Sequence, residues 1–176
     1  RSFASVGIVG LGYVGLRLAL AYANGGFRTL GFDIDAKKTQ SINAGESYIR
    51  HIESSTIKEQ TQSGKLKATC DFSELTTVDA VILCVPTPLD KHFEPDLSYV
   101  VTTIESILPF LRNGQTISLE STTYPGTTEE ELVSRIEAEG FTVGKDIYVV
   151  YSPEREDPGN PRYSAVNIPK VVGGHT

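Results

Sequence analysis

Short apolar runs alternate with longer amphipathic stretches along the chain. Runs rich in Val, Ile and Leu predict buried strands, and apolar residues spaced three or four apart predict helices. We expect strands at residues 4–10, 27–33, 66–70, 79–85, 116–119 and 147–151, with a further one at 171–172. We expect helices at residues 13–24, 35–44, 54–64 and 98–111, and one that begins within 125–131. This alternation predicts an α/β fold, a doubly wound and mainly parallel sheet with helices on both faces.

The connecting segments are polar or contain proline. Residues 46–52 read as an irregular connector and residues 71–75 as a turn. The strand before Pro86 ends abruptly, because proline donates no backbone hydrogen bond. We find no internal repeat and no interdomain linker, so the chain reads as one domain.

Two helix starts carry capping signals. Asp35 directly precedes the second helix and can cap it. Thr127 with Glu130, or Thr128 with Glu131, has the spacing of a capping box. The glutamates there are therefore interpreted as a solvated helix start rather than a catalytic cluster.

The first strand leads directly into the glycine motif GLGYVG, residues 10–15. Gly10 permits a tight turn, Gly12 leaves room for a pyrophosphate at the backbone, and Gly15 lets the helix pack close to the strand. The start of the helix offers unpaired N–H groups and partial positive charge to phosphates. Because a strand precedes the motif and a helix follows it, we interpret it as the dinucleotide-binding turn of a Rossmann-like domain.

An acidic residue, Asp33, ends the second apolar run. A carboxylate at this place accepts hydrogen bonds from the ribose hydroxyls and repels a 2′-phosphate, which predicts NAD rather than NADP. Asp35 is the competing candidate, but its capping position explains it better. Lys38, one turn into the next helix, could reach the ribose or simply be solvated.

Polar loops follow three later strands at the edge where doubly wound sheets bind ligands. Thr87 and Thr122 each lie near a proline, and their hydroxyls suit a ribose or a catalytic water. Ordinary turn chemistry would explain either of them equally well. Glu154 and Arg155 follow the last buried strand, and their place at the ligand edge favours a functional role over a surface ion pair.

Composition narrows the classes of protein. The chain is 39% hydrophobic and 22% charged, as in soluble globular domains. A net charge of −6 argues against nonspecific nucleic-acid binding, although it does not exclude an anionic ligand. The apolar runs are far shorter than a membrane span and we see no signal peptide, so we expect a cytoplasmic protein.

The cysteines and histidines give no metal or disulfide signal. Cys70 and Cys84 form no CxxC motif, and Cys84, inside an apolar strand, is expected to be a buried, inert thiol. The three histidines are widely spaced, so we expect no metal site.

Four segments carry a family resemblance: residues 7–16, 85–88, 120–128 and 152–155. Together they resemble the amino-terminal, NAD-binding domain of the UDP-glucose/GDP-mannose dehydrogenase family, in the same order and over nearly the whole chain. Residues 151–160 most resemble the UDP-N-acetylglucosamine 6-dehydrogenase branch, which makes uronic acids for bacterial surface polysaccharides. UDP-glucose dehydrogenases typically carry Phe-Leu after the Pro-Glu pair, and this chain departs from that pattern.

The resemblance implies a four-electron oxidation of the C6 alcohol of a nucleotide sugar to a carboxylate, with two NAD. In the family a cysteine thiolate captures the intermediate aldehyde, which splits one hard step into easier ones. That cysteine belongs to later domains, and neither Cys70 nor Cys84 matches it. Residues 1–176 are therefore expected to be a fragment, an NAD-binding domain without the central helix and the carboxyl-terminal substrate domain, inactive by itself.

The resemblance also implies roles for individual residues. Thr122 would help to hold the catalytic water, Glu154 would assist water or proton transfer beside C6, and Arg155 would contact the substrate. The residues expected around NAD are Gly10, Leu11, Gly12, Tyr13, Val14, Gly15, Asp33, Lys38, Val85, Thr87 and Thr122.

The expected partners are a nucleotide-sugar substrate and, for the full-length protein, further copies in a homo-oligomer, with neither nucleic acid nor membrane. The alternatives are a UDP-glucose, UDP-N-acetylmannosamine or GDP-mannose dehydrogenase of the same family, or a stand-alone NAD-binding sensor. The loops at Thr122 and Glu154 favour the enzyme, because a sensor has no need of them.

Overall fold

The computed structural model describes residues 4–89, 91–153 and 169–175 of the chain. In this part a single sheet contains seven strands. They are β1 (Ser5–Val9), β2 (Arg28–Phe32), β3 (Leu66–Thr69), β4 (Ala80–Leu83), β5 (Thr116–Leu119), β6 (Tyr148–Tyr151) and β7 (Gly173–His175). The strand order is β3-β2-β1-β4-β5-β6-β7, with β1 to β6 parallel and β7 antiparallel to β6.

Helices connect the strands. The α-helices are α1 (Tyr13–Asn24), α2 (Ala36–Ala44), α3 (Ser54–Gln62), α4 (Ser98–Ile107) and α5 (Ser134–Ala138). Shorter helical segments are the 3₁₀ turns Phe72–Thr77 and Leu108–Phe110 and the π-helical Thr128–Val133. The predicted α/β fold, Rossmann-like and doubly wound with a mainly parallel sheet, is confirmed.

Two apolar clusters pack on the two faces of the sheet. One contains the buried side chains of α4 and α5, including Ile104 and Ile136. The other contains those of α1, α2 and α3, including Leu16, Ile42 and Ile57. The chain winds from β1 outward to β3 and then returns to β4 on the other side of β1. This reversal places a crevice beyond the carboxyl ends of β1 and β4, where such sheets bind ligands.

Several predicted elements differ in detail from the structure. The predicted turn at residues 71–75 is the 3₁₀ segment Phe72–Thr77. The helix predicted at residues 98–111 ends as an α-helix at Ile107, and Pro109, which cannot donate a backbone hydrogen bond, lies in the 3₁₀ turn that follows. The strand predicted at residues 171–172 is wrong, because the ladder to β6 forms over the next three residues instead.

Of the capping predictions, one is confirmed and one is wrong. The Asp35 side chain accepts a hydrogen bond from the backbone N–H of Lys37 at 2.9 Å and caps α2. No capping box forms at Thr127, whose hydroxyl donates instead to the carbonyl of Tyr124 at 2.9 Å, and the alternative, Thr128, already lies inside the helical segment. Thr127 already has helical dihedrals, φ −50° and ψ −42°, whereas a capping residue needs an extended backbone.

A buried amide side chain lies at the amino ends of the strands, opposite the crevice. Gln115, which precedes β5, is fully buried. Its Nε2 donates to the carbonyls of Leu75 and Val78, both at 2.9 Å. Its Oε1 accepts from the backbone N–H of Arg112 at 2.8 Å.

Replacing Gln115 with leucine is expected to lower the free energy of unfolding by about 1–3 kcal/mol, because buried backbone groups lose their partners. NAD affinity should stay unchanged, since the crevice lies at the other end of the strands. Urea denaturation and calorimetric NAD titration measure the two effects. Gln62→Leu, at an exposed position of α3, is the matched control and should change stability by less than about 0.5 kcal/mol. Equal stability of the two variants would contradict the role of the buried amide.

Candidate nucleotide-binding site

The turn between β1 and α1 requires glycine at two positions for different reasons. Gly10 has φ +93°, and a Cβ there would lie 2.7 Å from the carbonyl oxygen of Cys84. A Cβ on Gly15 would overlap the carbonyl oxygen of Gly10. Gly12 is different, because a Cβ there would meet no atom within 4 Å. The turn is thus tightly packed at Gly10 and Gly15 and open beside Gly12.

The first turn of α1 faces this open space. The helix begins at Tyr13, and Gly12 occupies its N-cap position without a side chain to cap the first N–H groups. These N–H groups and the positive end of the helix dipole can bind an anion. Tyr13 and Val14, both predicted to bind cofactor, line the cavity above the turn.

Asp33 lies at the carboxyl end of β2 and is 6% exposed. Its Oδ2 accepts hydrogen bonds from the backbone N–H of Leu11 at 2.8 Å and from Lys38 Nζ at 2.9 Å. Its Oδ1 accepts from the N–H of Asp35 at 2.9 Å. The sequence left open whether Lys38 reaches a ribose or is solvated, and the structure instead pairs it with Asp33. The carboxylate is therefore held in one orientation and keeps one acceptor site, on Oδ1, for a ribose hydroxyl.

Two adjacent cavities extend along the carboxyl edge of the sheet. The first, about 240 Å³ and mostly apolar, has Ile34, Val85 and Tyr99 among its walls and suits a flat base. The second, about 380 Å³, extends over the start of α1. Because Lys38 and Val85 line both cavities, the two adjoin and together define a path along this edge of the sheet. The predicted cofactor residues that line this path are Gly10, Gly12, Tyr13, Val14, Asp33, Lys38, Val85, Thr87 and Thr122.

The two predicted threonines meet in the second cavity. The Thr87 hydroxyl donates to the carbonyl oxygen of Thr122 at 2.7 Å, and the Ser121 hydroxyl donates to the carbonyl of Val85 at 2.6 Å. These bonds tie the loop after β4 to the loop after β5. The hydroxyl of Thr87 can still accept a hydrogen bond, while Thr122 is exposed at the rim.

Sequence reasoning missed a charged pair beside this cavity. Glu120, 7% exposed, forms an ion pair with Lys170 and accepts a hydrogen bond from the hydroxyl of Ser118 at 3.4 Å. Burial, and after it the charge of Glu120, raises the pKa of Tyr22. The available signal was an acidic residue directly after an apolar strand, the same pattern that identified Asp33.

The prediction for Cys84 is wrong in part. It was expected to be buried inside a strand, but β4 ends at Leu83, so Cys84 lies half-buried at the crevice and lines the second cavity. Glu154 and Arg155, the predicted catalytic and substrate-binding residues, lie outside the described residues. Within the described ranges, no three His, Cys, Asp or Glu residues cluster as a metal site would require. Among the described helices, none has the length and apolar character needed to cross a membrane.

Comparison with known proteins agrees with this geometry. Residues 4–176 match the model for the UDP-glucose/GDP-mannose dehydrogenase family, NAD binding domain. The chain is 38% identical over 173 residues to a UDP-N-acetyl-D-glucosamine 6-dehydrogenase of Pseudomonas aeruginosa, covering 97% of this chain and 40% of that protein. It is 35% identical to a UDP-N-acetyl-D-mannosamine dehydrogenase of Pyrococcus horikoshii, covering 96% of this chain and 40% of that protein.

A solved structure of a UDP-N-acetyl-mannosamine dehydrogenase from Staphylococcus aureus superimposes with a TM-score of 0.90 at 36% identity. The superposition covers 98% of this chain and 41% of the other. The chain therefore spans about 40% of the length of the relatives it matches.

Proposed function

This chain belongs to the UDP-glucose/GDP-mannose dehydrogenase family as its NAD-binding domain, and we propose that it serves a UDP-N-acetylglucosamine 6-dehydrogenase. Relatives named for that activity are 38% and 34% identical to the chain. Relatives named for UDP-N-acetyl-D-mannosamine are 34–36% identical. The sequence of residues 151–160 adds support for the glucosamine branch.

The observation that carries the proposal is the pair of adjoining cavities along the carboxyl edge of the sheet. Asp33 lies at the first cavity and the start of α1 at the second. A dinucleotide has the same order of parts, a base and a ribose followed by a pyrophosphate. The open space at Gly12 and the oriented carboxylate of Asp33 fit NAD.

Different residues of the chain are assigned to different parts of the cofactor. Asp33 would accept a hydrogen bond from a hydroxyl of the adenosine ribose, and the N–H groups at the start of α1 would bind the pyrophosphate. When bound, NAD supplies the acceptor for hydride from the sugar. Thr87 and Thr122 line the second cavity together with the start of α1, and we assign them to the nicotinamide half.

The second half of the reaction needs a water molecule, because an alcohol becomes a carboxylate. Each sugar consumes two NAD and one water, and its oxidation to the carboxylate releases two NADH and three protons. We assign Thr122 to holding this water and Glu154 to assisting the proton transfer that activates it. We assign Arg155 to binding the substrate.

The full-length protein, incubated with NAD and a panel of nucleotide sugars, is expected to oxidise UDP-N-acetylglucosamine and to form two NADH per sugar. The chain 1–176 alone should bind NAD without turnover, because no cysteine in it matches the family's nucleophile. NADH absorbance and mass spectrometry of the product measure both results.

The panel contains UDP-N-acetylmannosamine, UDP-glucose and GDP-mannose as alternatives. A clear preference for one of them would replace the proposed substrate and keep the reaction. NAD binding without turnover of any of the four sugars would contradict the enzymatic role and leave an NAD sensor.

A further inference from the structure

We propose that Tyr48 is a positioning residue for the cofactor. Its hydroxyl holds the peptide between Leu11 and Gly12 in the orientation that binds the pyrophosphate of NAD. The inference rests on NAD binding at the glycine turn, and it is independent of which sugar the protein oxidises.

Leu11, between the first two glycines of the turn, is held through both of its backbone polar groups. Its N–H donates to Asp33 Oδ2 at 2.8 Å, and its carbonyl oxygen accepts from the hydroxyl of Tyr48 at 2.6 Å. Its side chain is fully buried and packs closely against Gly31. The residue is therefore fixed from three directions, and of these three contacts only the bond from Tyr48 comes from outside the unit formed by β1, α1 and β2.

Peptide planarity carries the effect to the next residue. The carbonyl of Leu11 and the N–H of Gly12 belong to one planar unit, so fixing the carbonyl also fixes the direction of that N–H. Gly12 lies beside the open space where a pyrophosphate fits and directly precedes α1. Without the hydroxyl of Tyr48, this glycine could rotate at small steric cost.

Tyr48 is presented by an anchored segment, residues 46–52, which the sequence showed only as an irregular connector. Gly45, with φ +76°, ends α2 and turns the chain. The N–H of Ser47 donates to Ser54 Oγ at 2.9 Å, and Ser47 Oγ donates to the carbonyl of Ile49 at 3.0 Å. The tyrosine therefore reaches Leu11 from a loop that its own hydrogen bonds hold in place.

Tyr48 lies beside the nucleotide site, which its surroundings adjoin at Lys38, and not in the core. Tyr48 is 37% exposed and borders a small cavity together with Asp35, Lys38 and Ser41. Burial, followed by the charges of Asp33 and Asp35, raises the pKa of Tyr48. The phenol thus keeps its proton and donates throughout the physiological pH range.

The test is Tyr48→Phe in the chain 1–176, with NAD and adenosine as probes. NAD affinity should fall about 3- to 10-fold, the range expected for one net hydrogen bond, whereas adenosine affinity should not change. The amide signal of Gly12 should shift in the NMR spectrum. Tyr148→Phe is the matched control, since Tyr148 is 47% exposed at the start of β6, and it should leave all three measurements unchanged.

NAD affinity within twofold of the original, with an unmoved Gly12 signal, would overturn the proposal. An equal loss of NAD and adenosine affinity together with a lower Tm would also overturn it, because that pattern marks a general structural role. The titrations contain no sugar, so a wrong substrate assignment would leave their outcome unaffected.

Discussion

Gly15→Ala is expected to destabilise the domain by more than about 3 kcal/mol and to abolish NAD binding. The added methyl group would overlap the carbonyl oxygen of Gly10, which is backbone and cannot move aside. It would also lie 3.2 Å from the Cβ of Cys84, so α1 would have to shift away from β1 and β4. Overpacking against fixed backbone belongs to the most damaging class of point substitution. Thermal unfolding and NAD titration measure the two losses.

Gly12→Ala is the control for this experiment. A methyl group at that position meets no protein atom within 4 Å, and Gly12 has an ordinary φ of −75°. The fold should therefore survive, while the methyl group takes up space that the pyrophosphate needs. Gly15→Ala therefore tests the packing of α1 against the turn, and Gly12→Ala tests the space for the pyrophosphate. A Gly15→Ala protein as stable as Gly12→Ala would contradict the close packing of α1 against the turn.

Asp33→Ala is expected to weaken NAD binding by about 10- to 150-fold and to narrow the preference for NAD over NADP. Hydrogen bonds to a charged group contribute about 1.5–3 kcal/mol, which corresponds to that range. The substitution also removes the acceptor for Leu11 and Asp35 and the counter-charge of Lys38. Lys38 would then be able to approach a 2′-phosphate. Calorimetric titration with both dinucleotides measures the change.

Asp35→Ala provides the matched carboxylate control. Asp35 caps α2 through the N–H of Lys37, so its loss should cost about 1 kcal/mol of stability and leave cofactor preference intact. Unchanged NAD affinity in Asp33→Ala would show that Asp33 makes no contact with the ribose. A larger loss of NAD affinity in Asp35→Ala than in Asp33→Ala would assign the ribose contact to Asp35 instead.

Much of this site can be predicted from the sequence alone. The periodicity of apolar residues predicts the strands and helices, and the motif at residues 10–15 identifies the turn. Asp33 follows from its place at the end of the next strand. These features are local, because a backbone with φ +93° at Gly10 or a helix packed against the turn at Gly15 demands glycine in any arrangement of the remaining chain. The family and its NAD cofactor were predicted from the same segments and are confirmed.

Local pattern was less informative where neighbouring segments compete for the same groups. The spacing of Thr127 and Glu130 favoured a capping box, but the Thr127 hydroxyl donates to Tyr124 instead. Cys84 looked interior to its strand, yet β4 ends one residue earlier and leaves it at the crevice. In both cases an alternative partner or a strand end, neither encoded by spacing, decided the outcome.

The contacts that complete the site join residues far apart in the chain. Tyr48 reaches Leu11 across 37 positions, Thr87 reaches Thr122 across 35, and Lys170 reaches Glu120 across 50. No periodicity or motif spans such separations, since each pair meets only once the strands have taken their order in the sheet. The residues that need a particular backbone could be recognised in the linear chain, whereas the residues that orient them could be recognised only after distant loops had come together at the carboxyl edge of the sheet.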